Sequence, residues 1–300
     1  MITCKNPLFH GPASEVITPF SADGELELGL LNDEIAFMID RGITGLFVNG
    51  LASEALMMGD ADRSCAAITV RKASAGKVPL MGNIIANSIS EGIRFAREYR
   101  DMGMDAITIT PPLVYKYTSE GLYAFFVEIA GSVDLPAYIY NAPETGNKVA
   151  PNVLARIYNQ NPNFVGYKDG TQNIIELQTL LQSLEDGRHF ELLSGSDALT
   201  MPLMMLGGVG VISLISVVFP KLIVDLCAAC EAQDWGKATG LQNKVLRVRE
   251  ALKTGPFMAA YKYVGVKVGV PLGMVKRPLA GLNEKEMVAI TTGLSAEAML

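Results

Sequence analysis

The residue with the greatest chemical potential in this chain is a lysine at the end of a short apolar run. Lys168 follows Phe164-Val165-Gly166-Tyr167, a segment suited to a buried strand. Taking an ammonium out of water is costly. Burial therefore favours the neutral amine, which can attack a carbonyl carbon and form an imine. The competing reading is an ion pair with Asp169 or another carboxylate, and position alone leaves the two balanced. Tyr140 closes the preceding apolar run, PAYIYN (136–141). Its phenol could move protons to and from a carbinolamine, or be a buried tyrosine with one hydrogen bond. Gly50-Leu51-Ala52-Ser53-Glu54 follows another apolar run. A glycine turn entering a helix presents backbone N–H groups suited to a carboxylate.

Other chemistries find less support. Cys227 and Cys230 form a C-x-x-C in a helical context, and His10 and His189 are the two histidines of the chain, so a metal site is not expected. Ser194 and Ser213 have no evident histidine base. Gly76-Lys77 is followed by Val78 and makes no phosphate loop. The glycines of LGGVGV serve a tight turn at least as well as a phosphate, and Met201, Met204 and Met205 read as core filling. The net charge is −6 without a basic block, so no nucleic-acid partner is expected. Four cysteines are too few for a disulfide scaffold. The N-terminal MITCKNPLFHG lacks an apolar leader core, which makes a cytoplasmic location the expectation.

Residues 198–220 carry no charge over a length that could span a membrane. Pro202, Gly207, Gly208 and Gly210 interrupt them, and no lysine or arginine cluster flanks them. A short buried helix (ALTMPLMML), a glycine turn and a buried strand (VGVISLISV) explain the segment without a membrane.

The elements that must position Lys168 recur with a regular order. EVITPF (15–20) precedes a helix near 28–41, GLFVNG (45–50) one at 60–75, and VPLMGNI (78–84) one at 88–102. AITIT (106–110) precedes 119–130, PAYIYN precedes 151–158, and FVGYKD (164–169) precedes 171–184. FELLSG (190–195) precedes 198–206, and VGVISL (209–214) precedes 221–233. Continuous apolar strands alternating with helices point to parallel βαβ units. Eight of them predict an α/β fold of the (β/α)8 TIM-barrel type over 1–233. An open doubly wound sheet would want a glycine-rich fingerprint after its first strand, and ITPFSADGE is not one. Residues 234–300 read as extra C-terminal helices packed on the barrel, interrupted at Gly255-Pro256. Chemistry in such a barrel sits at the C-terminal strand ends. These carry Thr18, Asn49-Gly50, Asn83, Thr110, Tyr140-Asn141, Lys168-Asp169, Ser194-Gly195 and Ser213.

Taken in order, VITPF, NGLASE, PPLVYKYTSEGLY, IYNAP, GYKDGT, LLSGSDAL and LGGVGVIS resemble the N-acetylneuraminate lyase / dihydrodipicolinate synthase family of class I aldolases, from about Phe9 to Gly281. The resemblance implies pyruvate, or another 2-oxo acid containing it, bound as an imine on Lys168. It also implies Tyr140 as proton relay and no metal or organic cofactor. It places the substrate carboxylate at Gly50, Leu51, Ala52 and Ser53, and Val211 beside the substrate. A homotetramer built as a dimer of dimers is implied as well.

Three departures stand out. Leu51 and Ala52 replace the family's hydroxyl-bearing pair, with Ser53 the nearest hydroxyl. Val114 stands where the tyrosine contributed across the dimer is expected, with Tyr115 beside it. In place of the arginine that follows the Tyr-Asn-x-Pro motif in the synthases, this chain has PETGNK, with Glu144 near that place. A carboxylate there would repel an anionic second substrate. The expected activity is thus that of a lyase, aldolase or dehydratase on another 2-oxo acid. Dihydrodipicolinate synthesis, a non-catalytic binder of 2-oxo acids and, less strongly, a phosphate-binding barrel enzyme using LGGVG are the alternatives.

Overall fold

The computed structural model describes residue 4, residues 6–142 and residues 145–300. Eight parallel strands close into a barrel in chain order, each paired with its neighbours and β8 with β1. They are β1 (Gly11–Glu15), β2 (Gly45–Val48), β3 (Leu80–Ile84), β4 (Ala106–Ile109), β5 (Ala137–Asn141), β6 (Phe164–Asp169), β7 (Glu191–Ser194) and β8 (Gly210–Ser213). Helices α1 (Leu28–Ile39), α2 (Asp60–Ser74), α3 (Ile89–Asp101), α4 (Ser119–Ala130), α5 (Pro151–Gln160), α6 (Ile174–Ser183), α7 (Thr200–Met205) and α8 (Pro220–Glu231) follow them one by one.

Side chains alternate across each strand, which gives the barrel two separate cores. Phe9, Ala13, Phe47, Met81, Ala106, Tyr138, Tyr140, Leu193 and Ile212 fill its inside. A larger layer, including Val48, Ile84, Ile107, Ile139, Leu192 and Val211, packs between the strands and the helices. Sequence-local caps fix where several helices begin. The Ser88, Thr118 and Asn173 side chains accept from Glu91, Gly121 and Glu176 N–H and open α3, α4 and α6. At closure, β8 lies so near β1 that a Cβ on Gly210 would fall 2.2 Å from the Gly11 carbonyl oxygen. Glycine is therefore required there.

The first strand departs from expectation. It is GPASE, ending at Glu15, rather than EVITPF beginning there. Its backbone pairs from Gly11 to Ser14 with β8 and from Ala13 to Glu15 with β2. The more apolar run that follows leaves the sheet, and Ile17 N–H is held by the Glu34 carboxylate at 2.8 Å. Thr18 thus lies beyond the strand. Helix α6 starts at Ile174 rather than 171 because Asp169 Oδ1 holds Thr171 N–H and Oγ1 in a turn. The uncharged 198–220 segment is α7, a turn, β8 and the start of α8. Among the described residues no helix is long and apolar enough to cross a membrane.

Three further helices, α9 (Trp235–Leu252), α10 (Ala259–Lys267) and α11 (Glu284–Ala296), complete the chain. Gln242 on α9 accepts from Met201 N–H and donates to the Asp197 carbonyl, both at 2.9 Å. Lys262 on α10 donates to the carbonyls of Thr18 at 2.8 Å and Met274 at 2.6 Å. It also forms a buried ion pair with Glu54 at 2.7 Å. These bonds tie α9 and α10 to the loops around the barrel mouth.

Candidate active site

Alternation brings Tyr140 and Lys168 together. They pair in register on β5 and β6, so both side chains leave the same face of the sheet. Tyr140 belongs to the inner cluster, and the Lys168 ammonium lies 3.9 Å from the centre of its ring. On the other side the amine stands 3.7 Å from the centre of the Phe47 ring. Two aromatic faces thus hold a positive charge away from water, and Lys168 is completely buried. Asp169, one residue on, points to the opposite face. Its Oδ1 accepts from Tyr167 Oη, Thr171 N–H and Thr171 Oγ1. Burial pushes its carboxyl above the ordinary range.

The partner of Lys168 is instead Glu15 on β1, whose Oε1 is 2.6 Å from Nζ. Sequence reasoning missed this residue. Glu15 lies two positions after Ala13, a residue of the inner cluster, and so shares its inward face. Reading Glu15 as the first residue of a strand put it at the wrong end of the barrel. The available signal was the alternation Gly11, Ala13, Glu15 carried back from the apolar run.

The 50–54 turn borders the same space. A Cβ on Gly50 would lie 2.7 Å from the Phe47 ring and 3.0 Å from Glu15 Oε2, so glycine alone fits between them. Leu51 packs against the inner cluster. Ala52 is buried in the outer layer. Neither the Leu51 nor the Ala52 N–H donates a backbone–backbone hydrogen bond among the described residues, while the Leu51 carbonyl accepts from Glu54 N–H at 3.2 Å. Ser53 is committed within its own turn, its Oγ donating to the Gly50 carbonyl at 2.7 Å. That hydroxyl is not presented to Lys168 as a displaced relay would be.

Val211 is not brought to this group. Its side chain packs in the outer layer, and its neighbour Ile212 is the β8 residue that packs inside with Tyr140. On a period of two, Ile212 rather than Val211 therefore turns its side chain into the barrel. The other strand-end polar residues brace the rim. Thr110 Oγ1 donates to Asn83 Oδ1 at 2.9 Å, and Asn49 Nδ2 to Tyr99 Oη at 3.0 Å. The Asn141 amide brackets the Val149 backbone with two bonds of 3.0 Å. Ser194 Oγ donates to the Ser196 carbonyl at 2.8 Å. Ser213 Oγ donates to Asp197, a carboxyl that burial pushes upward.

Val114 is 82% exposed with φ +69°, and Tyr115 is 71% exposed, both on the loop after β4. Glu144 lies outside the described residues. At the far end of the barrel, Cys4, His189 and Glu191 offer ligand atoms within 4.8 Å of one another. The Glu191 carboxylate is already engaged by Leu8 and Phe9 N–H, Tyr138 Oη and the His189 ring. Cys227 and Cys230 are buried in α8 as free thiols.

This geometry agrees with what the chain is similar to. The sequence model of the dihydrodipicolinate synthetase family matches residues 8–297. A 4-hydroxy-tetrahydrodipicolinate synthase of Nitratidesulfovibrio vulgaris is 33% identical, the match covering 93% of this chain and 96% of that one. A protein of the same name from Methanosphaerula palustris is 30% identical, covering 96% and 99%. Among solved structures, a prophage protein of E. coli K12 belonging to the dihydrodipicolinic acid synthase family, in complex with pyruvate, superimposes with a TM-score of 0.92 at 27% identity, covering 98% and 100%. A dihydrodipicolinate synthase of Thermotoga maritima gives 0.92 and 27% with the same coverage. With a closed eight-stranded barrel and a buried lysine at its mouth, the chain belongs to the dihydrodipicolinate synthetase family and is a lyase of the class I aldolase type.

Proposed function

We propose that Lys168 forms a Schiff base with the ketone carbon of pyruvate or of a larger 2-oxo acid containing it, and that the chain makes or breaks a bond at the adjacent carbon. The observation that carries this reading is the completely buried Lys168 amine, held between Phe47 and Tyr140 at the C-terminal end of the barrel. The protonated imine withdraws electrons from the neighbouring carbon. It thereby stabilises the enamine left when a carbon–carbon bond or a hydroxyl is lost. Tyr140, on the adjoining strand, is placed to move protons as the bond at the adjacent carbon forms or breaks. The amides of Leu51 and Ala52 can receive the substrate carboxylate. The resident chemistry is supplied by the lysine itself, and this reading assigns no metal or organic cofactor.

The names of the relatives favour a second reading, 4-hydroxy-tetrahydrodipicolinate synthase. Against it stands the lack of an arginine after the Tyr-Asn-x-Pro motif. One experiment separates the two. Pyruvate is supplied with aspartate semialdehyde and, in parallel, with a series of neutral aldehydes, and product is followed by NMR. Turnover with neutral aldehydes, or pyruvate release from 2-oxo acids, supports the proposal. Condensation of aspartate semialdehyde at k_cat/K_M within the ordinary enzyme range of about 10⁴–10⁸ M⁻¹s⁻¹ would support the synthase. Imine formation without turnover on any substrate would leave a binding protein. The exposed Val114 and Tyr115 support assembly of copies through this loop, as the dimer of dimers implied by the family resemblance, which sedimentation equilibrium measures.

A further inference from the structure

Glu15 introduces a carboxylate into the centre of the site. Its Oε1 lies 2.6 Å from the Lys168 amine. Its Oε2 is buried without a hydrogen-bond partner among the described residues. That oxygen faces Gly50, the first residue of the turn proposed for the substrate carboxylate. One oxygen therefore touches the attacking nitrogen while the other is directed toward the place where a bound 2-oxo acid would sit. Removing hydrogen-bonding capacity from a buried carboxylate oxygen is costly, and a purely structural counter-ion gains nothing from that orientation. Hydroxyls able to relay protons are meanwhile lacking nearby in the turn, because Leu51 and Ala52 have none and Ser53 bonds to Gly50.

From this geometry we propose that Glu15 is the acid–base catalyst of imine formation, a reading that rests on the Schiff-base role of Lys168. Glu15 takes one proton from the Lys168 ammonium. The freed lone pair attacks the carbonyl carbon, and the C=O π electrons move to oxygen. Glu15 delivers its proton to that oxygen and removes one from the new N–H bond. It then protonates the carbinolamine hydroxyl as the C–O bond breaks. The nitrogen lone pair closes the iminium, water leaves, and Glu15 is again a carboxylate. Two of the three ammonium protons end in the water and one stays on the iminium nitrogen, so no further reactant is needed. While protonated, Glu15 also ceases to oppose a substrate carboxylate at the Gly50 turn.

Among the described residues, the charged and titratable groups near Glu15 include Lys168 on β6, Tyr140 on β5 and Tyr261 on α10, a partly buried residue whose phenol feels Asp197, Arg249 and Glu15. Asp197, after β7, binds Ser213 and the Leu214 and Ile215 amides. Lys168 is thus the one cation among them able to exchange a proton directly with Glu15.

The test is rapid-quench borohydride trapping of pyruvate on the full chain, comparing wild type, Glu15→Gln and Glu15→Ala between pH 5 and 9. The expected result is an adduct on Lys168 in all three at long times, formed about 10²–10⁴-fold more slowly in Glu15→Gln. The rate in that variant should rise with pH throughout, because solvent must then remove the lysine proton. Formate should restore the Glu15→Ala rate in a saturable way. A mere counter-ion predicts the opposite sign. Losing a neighbouring carboxylate favours the neutral amine, so Glu15→Gln would trap as fast as wild type or faster at neutral pH, and that result overturns the proposal. Absence of any wild-type adduct would overturn the Schiff-base reading itself, and this proposal with it.

Discussion

Replacing Lys168 by methionine should destabilise the barrel by stranding Glu15. The two charges are 2.6 Å apart, with side chains 0% and 9% exposed. At an effective dielectric constant of about 20, unit charges at that separation attract by roughly 6 kcal/mol. Part of this is offset by the cost of desolvating both groups, so the pair itself contributes little net stability. Removing one partner is different, because the other desolvated charge remains. The expected cost of Lys168→Met is about 3–5 kcal/mol. Methionine fills the space between Phe47 and Tyr140, so little of that loss comes from a cavity. The double variant Lys168→Met/Glu15→Gln should recover about 2 kcal/mol or more, since contacting residues couple by about 0.5–3 kcal/mol. Urea unfolding followed by circular dichroism measures all four corners of the cycle. A Lys168→Met cost below about 1 kcal/mol, or a double variant no more stable than the single, would refute the premise that the pair is desolvated.

Two further outcomes follow from the same geometry. Tyr140→Phe keeps the ring 3.9 Å from the lysine amine but removes the phenolic proton. It should lower kcat by about 10²–10⁴-fold while the protein remains folded, and steady-state kinetics beside a thermal melt checks both. Glu34 is fully buried beneath Ile17, and burial holds its carboxyl well above the ordinary carboxylate range. A raised folded-state value means its stabilising contribution is complete below the ordinary carboxylate range and is lost as pH rises through the raised value, by at most about 1.4 kcal/mol per pH unit. Glu34→Gln should therefore flatten the fall in melting temperature between pH 5 and 8 relative to wild type, and parallel melts measure the difference.

Much of this site was legible in the sequence because buried parallel strands are apolar throughout and end abruptly. FVGYKD marked β6 to the residue, and PAYIYN marked β5 within one. Together these two runs put Lys168 and Tyr140 at the ends of adjacent strands, as the pairing of β5 with β6 does. Glu15 was hidden for the converse reason. GPASE has almost no strand propensity, and it is held in the sheet by pairing with β2 and β8, which no local window contains. The outward facing of the Val211 side chain was hidden for a different cause. A continuous apolar strand such as GVIS gives no alternation to say which residue faces inward. The pairing of Lys168 with a carboxylate was foreseen as one of two readings, but the partner proved to be 153 positions away rather than adjacent.

The most direct measurement is borohydride trapping of the wild-type protein with pyruvate, followed by peptide mass mapping. The expected result is a reduced adduct on Lys168 and none in Lys168→Met. Absence of an adduct with pyruvate and with larger 2-oxo acids, or an adduct mapped to another lysine, would contradict it.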